Sequence, residues 1–148
     1  MDDATATEGA VAIRRAAMDL LAHREHSLHE LQQKLARRFS DRDLIDSELA
    51  RLSNERLQSD ERFVSTYIDS RARRYFGPAH IRRELRKRGI ESAVIDSAFA
   101  EAEIDWSAVC RELTVKKFGP NSPVNLEEKA RRTRFLVSRG FLSEDSFS

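Results

Sequence analysis

The stretch "RRYFGPAHIRRELRKRG", residues 73–89, contains the start and the end of one short helix. A Gly-Pro step interrupts the preceding helical pattern, and Pro78 suits the first turn of the next helix because proline needs no hydrogen-bond acceptor there. Ile81 and Leu85 are one turn apart and predict a buried side. Gly89 then supplies a residue that adopts the left-handed conformation in which helices commonly end. The stretch therefore predicts an amphipathic helix of about three turns.

The rest of the chain follows the same helical pattern. Apolar residues recur every three or four positions, and the 148 residues include only five Gly and three Pro, which predicts an all-α protein. The first helix is expected at residues 12–24. Ser27 and Glu30 form a capping-box pattern for the second helix. Ser40 and Ser59 are the expected N-caps of later helices.

An internal repeat organises these helices. A shift of fifty positions pairs Leu35 with Leu85 and the tetrapeptide at 44–47 with that at 94–97. A shift of fifty-one positions then pairs Leu85 with Leu136. Each copy spans one long helix followed by two short ones, so the chain is expected to hold three tandem three-helix repeats.

The repeat predicts the domain organisation. Residues 1–10 are expected to be a loose tail, and the three units to occupy residues 11–58, 59–105 and 106–148. The third unit is truncated, because it lacks most of its last helix. Units this small bury too little surface alone, so neighbours should stack. The molecule should therefore be elongated and curved.

Charge is strongly segregated along a nearly neutral chain. The totals are 26 basic and 25 acidic residues. Residues 71–88 hold eight basic residues and one acidic residue, whereas residues 89–105 hold five acidic residues and no basic ones. A second basic run in the third unit comprises Arg111, Lys116, Lys117, Lys129, Arg131, Arg132 and Arg134. Patches of one sign steer association with oppositely charged partners.

A helical wheel separates the basic residues of 78–88 into two kinds. With Ile81 at zero, steps of about 100° per residue place Arg82, Arg83, Arg86 and Lys87 opposite the apolar side. Arg88 falls beside the apolar seam, where a cation near the helix end meets the last carbonyls, so it is interpreted as structural. The four outward residues lack a basic pattern at the matching positions of the first unit. They are candidates for partner binding, and the alternative is a solvated face paired with its own acidic neighbours.

No other pattern predicts catalysis, a metal or a cofactor. His23, His26 and His29 would have to converge across a helix break, so a solvated turn is preferred to a metal site. The single Cys110 lies mid-helix and is expected to be a buried thiol. No nucleophile, paired carboxylates or phosphate-binding glycine loop accompanies it, so the chain is expected not to be an enzyme and to need no cofactor.

The sequence also predicts where the protein is located. One cysteine, no apolar run long enough to span a bilayer, and an acidic N-terminus unlike a signal peptide predict a cytoplasmic protein.

Tyr75 lies beside the basic run and is a candidate for stacking on a base or a partner. Phe76 and Trp106 are expected to pack, Trp106 as a wedge between units.

The segments "LQSDERFVSTYIDSR", "FGPAHIRRELRKRGI" and "RFLVSRGF" resemble the motifs of the RecX family, bacterial regulators of the RecA recombinase, over most of the chain. The resemblance implies three imperfect three-helix units and binding in the groove of the RecA–DNA filament, with inhibition of strand exchange, ATP hydrolysis and co-protease activity. The family's basic surface maps onto Arg71, Arg73, Arg74, His80, Arg82, Arg83, Arg86 and Lys87. The ending "GFLSEDSFS" is shorter than the third helix that the family pattern would place after "RGF".

The complete predicted partner surface combines both arguments. To the residues implied by the resemblance it adds Tyr75, Lys116, Lys117, Arg131 and Arg132. The expected partner is the RecA filament, with at most weak direct contact to nucleic acid, no membrane and a monomeric state. Two alternatives stay open: a helix-turn-helix DNA-binding protein, against which stands the lack of Asn and Gln on the basic face, and a helical adaptor.

Overall fold

The computed structural model describes residues 3–141, and all of its regular elements there are α-helices. The helices, in chain order, are α1 (Asp3–His23), α2 (Leu28–Ala36), α3 (Arg42–Asn54), α4 (Asp60–Arg73), α5 (Pro78–Lys87), α6 (Ser92–Glu101), α7 (Trp106–Phe118) and α8 (Leu126–Ser138). The all-α prediction is confirmed. Within the described range no helix is long and apolar enough to cross a membrane.

Local capping determines where most helices begin and end. The Ser27–Glu30 capping box is present, with the Ser27 hydroxyl accepting from Glu30 N–H and the Glu30 carboxylate accepting from Ser27 N–H. Ser59 caps α4 as predicted. The prediction of Ser40 as the cap of α3 is wrong, because the carboxylate of the next residue, Asp41, accepts from Leu44 N–H. The predicted cap is one position too early because serine and aspartate side chains can both cap a helix.

The first helix extends further than the sequence predicted. α1 begins at Asp3, so the prediction of a loose tail over residues 1–10 is corrected from that residue onward. The reason lies in packing against α3. A Cβ added to Gly9 would lie 3.0 Å from Leu44 Cδ2, so the two helices already touch at this level.

Three hydrophobic cores follow one another along the chain. The first lies among α1–α3 and includes Ile13, Leu31, Leu35, Ile45, Leu49 and Leu52. The second lies among α4–α6 and includes Phe63, Val64, Ile68, Ile81, Leu85, Ile90 and Ile95. The third, between α7 and α8, consists of Cys110, Leu113, Leu136 and Phe141. We call these helix groups unit 1, unit 2 and unit 3; the predicted remnant of a last helix in unit 3 lies outside the described residues.

Trp106 joins the second core to the third. Its ring centroid is 5.7 Å from that of Phe99 in unit 2, and the side chain packs against both cores. The prediction of an inter-unit wedge is confirmed. Cys110 is buried, also as predicted.

Backbone contacts connect unit 2 to unit 3. Gly77 N–H donates to Arg139 C=O at 2.8 Å, and Ala79 N–H donates to Gly140 C=O at 3.0 Å. Because the first N–H groups of a helix have no partner inside it, the start of α5 obtains its cap from unit 3. Gly140 has φ of +98°, and a Cβ there would lie 2.5 Å from His80 Cβ. We call this contact the second joint.

A related contact connects unit 1 to unit 2. Ser27 Oγ–H donates to Arg88 C=O at 2.9 Å, and Leu28 N–H donates to Asp60 Oδ1 at 3.0 Å. Gly89 has φ of +78° and approaches His29 so closely that an added Cβ would lie 2.5 Å from His29 Cβ. Both joints therefore place the start of one unit's second helix against the end of the next unit's second helix.

Candidate functional site

Five exposed cations lie at the end of α4 and along α5. They are Arg73, Arg74, Arg83, Arg86 and Lys87, and we call them the exposed basic set. Over residues 3–141 none of the five has a carboxylate within salt-bridge distance, whereas their neighbours Arg71, Arg82 and Arg88 each have at least one. The exposed basic set therefore presents uncompensated positive charge to solvent.

Arg82 corrects the prediction that all four wheel-selected residues point outward. Its guanidinium lies 4.4 Å from the Phe99 ring centroid and its Nη1 is 2.5 Å from Asp96 Oδ1. At the matching position of unit 1, Gln32 Nε2 donates to Asp46 Oδ1 at 3.0 Å. The position therefore ties the second helix of each unit to the third, and Arg82 serves the fold.

Arg71 and His80, which the resemblance placed on the partner surface, both contact Glu84. Arg71 Nε is 3.5 Å from Glu84 Oε1, and His80 Nε2 is 2.8 Å from the same oxygen. His80 also stacks on Phe76 with 4.4 Å between ring centroids. Both side chains are partly covered and engaged by Glu84, and their role as partner-binding residues stays a prediction.

Tyr67 completes this Glu84 cluster. Its hydroxyl donates to the Glu84 carboxylate, and burial together with this hydrogen bond raises the pKa of Tyr67. The guanidinium groups of Arg71 and Arg88 lie over its ring, each 4.8 Å from the centroid. Glu84 was not predicted from the sequence. It is the one acidic residue of α5 and lies four positions from both His80 and Arg88, a spacing that indicates such a cluster.

The interpretation of Arg88 as structural is confirmed. Its Nη1 donates to Glu84 C=O near the helix end at 3.4 Å, and its Nε lies 3.7 Å from Glu30 Oε2 in unit 1. The Glu30 carboxylate also forms an ion pair with Arg24 and accepts a hydrogen bond from Ser27 N–H. Burial opposes its charge, but these bonds prevail and lower the pKa of Glu30. Arg88 therefore reinforces the joint between units 1 and 2.

Arg132 is the clearest departure from the predicted surface. The residue is buried, with 8% of its area exposed. Its Nη2 is 2.7 Å from Glu128 Oε1, and its Nη1 donates to Asn121 C=O at 3.0 Å. The shift of fifty-one pairs Arg132 with Ile81, the centre of the apolar side of α5. Applying that register would have identified Arg132 as a core position.

The remaining predicted residues of unit 3 lie near aromatic rings of unit 2 or unit 3. Lys116 Nζ lies 4.9 Å from the ring centroid of Tyr75, and Lys117 Nζ lies 5.2 Å from that of Phe135. Arg131 is exposed and its guanidinium lies 5.9 Å from the Phe118 ring centroid. Tyr75 is half-buried, and Lys116 covers one face of its ring. Its predicted role as an exposed stacking platform is therefore weakened.

The histidines of unit 1 do not converge on a metal site. Across residues 3–141 no three His, Cys, Asp or Glu side chains are grouped so as to hold a metal ion. His26 is buried instead; its Nδ1–H donates to Arg24 C=O at 3.0 Å and its Nε2 accepts from Lys34 Nζ at 2.9 Å. Burial lowers the pKa of His26.

Comparison with known proteins identifies the family. A family model described as "RecX, second three-helix domain" matches residues 59–99, the part of the chain that contains α4 and α5. The Regulatory protein RecX of Pseudomonas savastanoi pv. phaseolicola (strain 1448A / Race 6) is 46% identical over 131 residues, which cover 88% of this chain and 84% of that protein. The chain belongs to the RecX family. The Regulatory protein RecX of Pseudomonas fluorescens (strain SBW25) is 43% identical over 134 residues, covering 90% of this chain and 86% of its own length.

Solved structures of RecX proteins share the fold. A crystal structure of regulatory protein RecX superposes with a TM-score of 0.81 at 19% identity, covering 98% of this chain and 77% of that one. RecX from Lactobacillus salivarius gives a TM-score of 0.77 at 18% identity, covering 95% and 93%. The relatives are named as regulatory proteins, and the exposed basic set of this chain lies inside the segment that the family model matches.

Proposed function

We propose that this RecX-family protein binds RecA nucleoprotein filaments and inhibits their recombinase, ATPase and co-protease activities. It acts in the cytoplasm as a monomer, without a cofactor and without chemistry of its own. The observation that carries the proposal is the exposed basic set on α4 and α5, combined with membership of a family whose proteins are named as regulators.

The exposed basic set suits a surface rich in negative charge. Its five cations have no internal carboxylate partner over residues 3–141, so binding a polyanion removes none of the ion pairs that hold the fold. DNA phosphates and acidic protein side chains both meet this requirement. The structural cations stay in place, because Arg71, Arg82 and Arg88 keep their own acids. The protein therefore separates the charges that fold it from those that meet a partner.

The arrangement of the units favours a groove. The two joints hold three small units in sequence, and a chain of this kind follows a helical groove over several filament subunits. With the exposed basic set toward the filament, the protein hinders partner-strand access or subunit addition. Exposed Lys116, Lys117 and Arg131 in unit 3 would extend the contact.

The first experiment measures DNA-dependent ATP hydrolysis by a purified bacterial RecA with increasing amounts of this protein. The test variant carries Arg83→Ala, Arg86→Ala and Lys87→Ala. The matched control removes the same charge from exposed positions of unit 1, as Arg15→Ala, Arg37→Ala and Arg42→Ala. We expect wild type and control to inhibit and the test variant to need at least about tenfold more protein, as the loss of a few charge-assisted contacts implies.

Two results would contradict the proposal. If wild type leaves ATP hydrolysis unchanged, the protein does not regulate RecA in this way. If test variant and control lose inhibition equally, only net charge matters and the exposed basic set has no special role. A titration on duplex DNA at increasing salt separates the alternative of a DNA-binding protein, for which tight binding without RecA and a steep loss with salt are expected.

A further inference from the structure

The contact between unit 1 and unit 2, which we call the first joint, is built from polar groups. Besides the two hydrogen bonds described above, the side-chain amide of Gln58 lies between the units. Its Nε2 donates to His26 C=O at 3.2 Å and to Asp60 Oδ1 at 2.9 Å. Arg62 Nε of unit 2 donates to Glu25 Oε1 of unit 1 at 2.9 Å. When the units separate, each of these groups can bond to water instead, so the net stabilisation from each bond is small.

The second joint places apolar side chains at the matching positions. Asp60 is the first residue of α4, and Trp106 is the first residue of α7. Two positions before them lie the buried Gln58 and the partly buried Ile104. Trp106 packs against both the second and the third core, and Ile104 packs against the second. Among residues 3–141 no hydrophobic residue belongs in this way to both the first and the second core.

The residue directly before the N-cap of the second helix shows the same difference. It is the buried His26 in unit 1 and Phe76 in unit 2. The Arg139 guanidinium of unit 3 lies 4.0 Å from the Phe76 ring centroid, and Tyr75 of unit 2 packs against the third core. Opening the second joint would expose this apolar surface to water, which is unfavourable in proportion to the exposed area. The second joint therefore resists opening more strongly than the first.

Open space lies beside the first joint. A crevice of about 320 Å³ lies between the end of α1 and α4, with Arg24 and Glu25 on the side of unit 1 and Thr66 and Ser70 on the side of unit 2. The crevice gives unit 1 room to turn towards unit 2. The first joint thus combines hydrogen bonds that water can replace with free space at its side.

We propose that the first joint is a polar hinge about which unit 1 turns, while units 2 and 3 move together as one rigid body. The pivot lies at the Asp60 carboxylate, which accepts from both Leu28 N–H and Gln58 Nε2. Residues 55–59 connect α3 to α4, and a short connection at the ends of two helices is where a hinge absorbs its change in backbone angles.

The hinge changes the angle between unit 1 and the body that carries the exposed basic set. One chain can then fit partner surfaces of different curvature, which three rigidly joined units could not do. The proposal does not depend on the proposed function, because it concerns the motion of the free protein.

Distances between pairs of spin labels test the hinge. One pair, Ser47→Cys with Ser97→Cys, spans the first joint, and another, Ser97→Cys with Ala130→Cys, spans the second. All three positions are exposed helix positions, whereas the native Cys110 is buried, so the chain without added cysteines should take up no label. Double electron–electron resonance on the full chain gives the distribution of each distance. We expect the distribution across the first joint to be at least about twice as wide as that across the second, as a hinge beside a rigid body implies.

Variants of Asp60 locate the pivot. Asp60→Ala removes the oxygen to which Leu28 N–H and Gln58 Nε2 donate, Asp60→Asn keeps an acceptor oxygen without the charge, and Asp69→Ala removes the same charge from an exposed position of α4. We expect Asp60→Ala to raise the fraction of molecules outside the main distance peak of the first joint at least about threefold, as the loss of hydrogen bonds implies. Asp60→Asn and Asp69→Ala should change that fraction by less than about twofold, as ordinary surface substitutions do.

Three results would overturn the proposal. The first is an equal width of the two wild-type distributions, whether both are narrow or both are wide. The second is an equal effect of Asp60→Ala and Asp69→Ala, which would assign the motion to net charge. The third is an equal widening of both joints by Asp60→Ala, which would mean a general loosening of the fold. Far-UV circular dichroism checks that each variant keeps the wild-type helix content, and the comparison of the two wild-type distributions decides if Asp60→Ala does not fold.

Discussion

Replacing Gly77 by alanine tests whether the second joint holds unit 3 on unit 2. The residue has φ of −91° and ψ of 169°, an ordinary extended conformation, so alanine introduces no backbone strain there. The added Cβ would lie 2.5 Å from the carbonyl carbon and oxygen of Gly140 and 2.7 Å from Phe141 N. The destabilising part of this substitution therefore comes from one contact with the backbone of unit 3.

The size of the effect follows from that contact. Carbon atoms in contact are about 3.5–4.0 Å apart, so the two segments must separate by about 1 Å. Hydrogen bonds that now measure 2.8 Å and 3.0 Å would then be lost. Each is worth about 0.5–1.5 kcal/mol net, and replacing glycine regains about 0.4–1 kcal/mol from the unfolded state. Two such bonds are worth about 1–3 kcal/mol and the gain offsets about 0.4–1 kcal/mol of that, so we expect Gly77→Ala to lower the free energy of unfolding by about 1.3 kcal/mol, the middle of the range.

Two further glycines separate the contact from backbone strain. Gly119 has φ of +86° and ψ of 177°, a backbone conformation essentially confined to glycine, and nothing lies within 4 Å of an added Cβ. Gly119→Ala therefore measures backbone strain alone, a cost of about 1–3 kcal/mol. Gly140 has φ of +98° and a crowded Cβ position, so Gly140→Ala combines both costs. The double variant with Gly77→Ala should cost less than the sum, since both changes open one contact.

The assay is urea unfolding followed by far-UV circular dichroism and by the fluorescence of Trp106. This residue is the one tryptophan in the chain, and it lies between the second and third cores, so its emission reports on the junction directly. A loss below about 0.5 kcal/mol for Gly77→Ala, within the scatter of ordinary surface substitutions, would refute the reasoning that this joint stabilises the chain.

Three further substitutions test single features of the units. Arg132→Leu combined with Glu128→Gln replaces both members of the ion pair and leaves no unpaired charge, so urea unfolding should show a stability within about 1 kcal/mol of wild type or above it; a larger loss would contradict the register with unit 2. Arg82→Gln recreates the residue pair of unit 1, where Gln32 makes the equivalent bond, so inhibition of RecA and thermal stability should both be retained, and a selective loss of inhibition would make Arg82 a binding residue. Burial lowers the pKa of His26, whose Nε2 accepts a hydrogen bond from Lys34 Nζ, so the free energy of unfolding should fall as the pH drops below the ordinary histidine value of 6.5. His26→Asn should remove that part of the pH dependence in urea unfolding curves, and an unchanged pH dependence would assign it to another group.

Much of the fold could be predicted because it is encoded locally. Helix α7 runs from Trp106 to Phe118, as its periodicity indicates, and the Ser27 capping box is formed by residues three positions apart. The N-cap of α3 was misplaced by one residue because Ser40 and Asp41 are both competent caps. The early start of α1 was missed because its support comes from packing against α3.

The candidate site was predicted only in part. The sequence placed a strong basic charge in unit 2, and the exposed basic set lies there. It could not separate Arg83 from Arg82, because the acid that engages Arg82 belongs to α6, fourteen positions away. Arg132 was the exception, since the repeat register already pairs it with Ile81.

The sequence by itself determined most of the helices and several of their side-chain caps, because these depend on residues within a few turns of one another. It also determined the repeat, because the apolar period can be counted along the chain. Only the tertiary structure decided which cations are free. The Glu84 cluster forms when α4 and α5 pack together within unit 2. The contact between Arg139 and the Arg74 carbonyl, 65 positions apart, forms when unit 3 packs on unit 2. A guanidinium carries the same charge whether it is paired inside the fold or exposed to solvent. The position of its nearest carboxylate or carbonyl decides whether it stabilises the fold or is available to a partner.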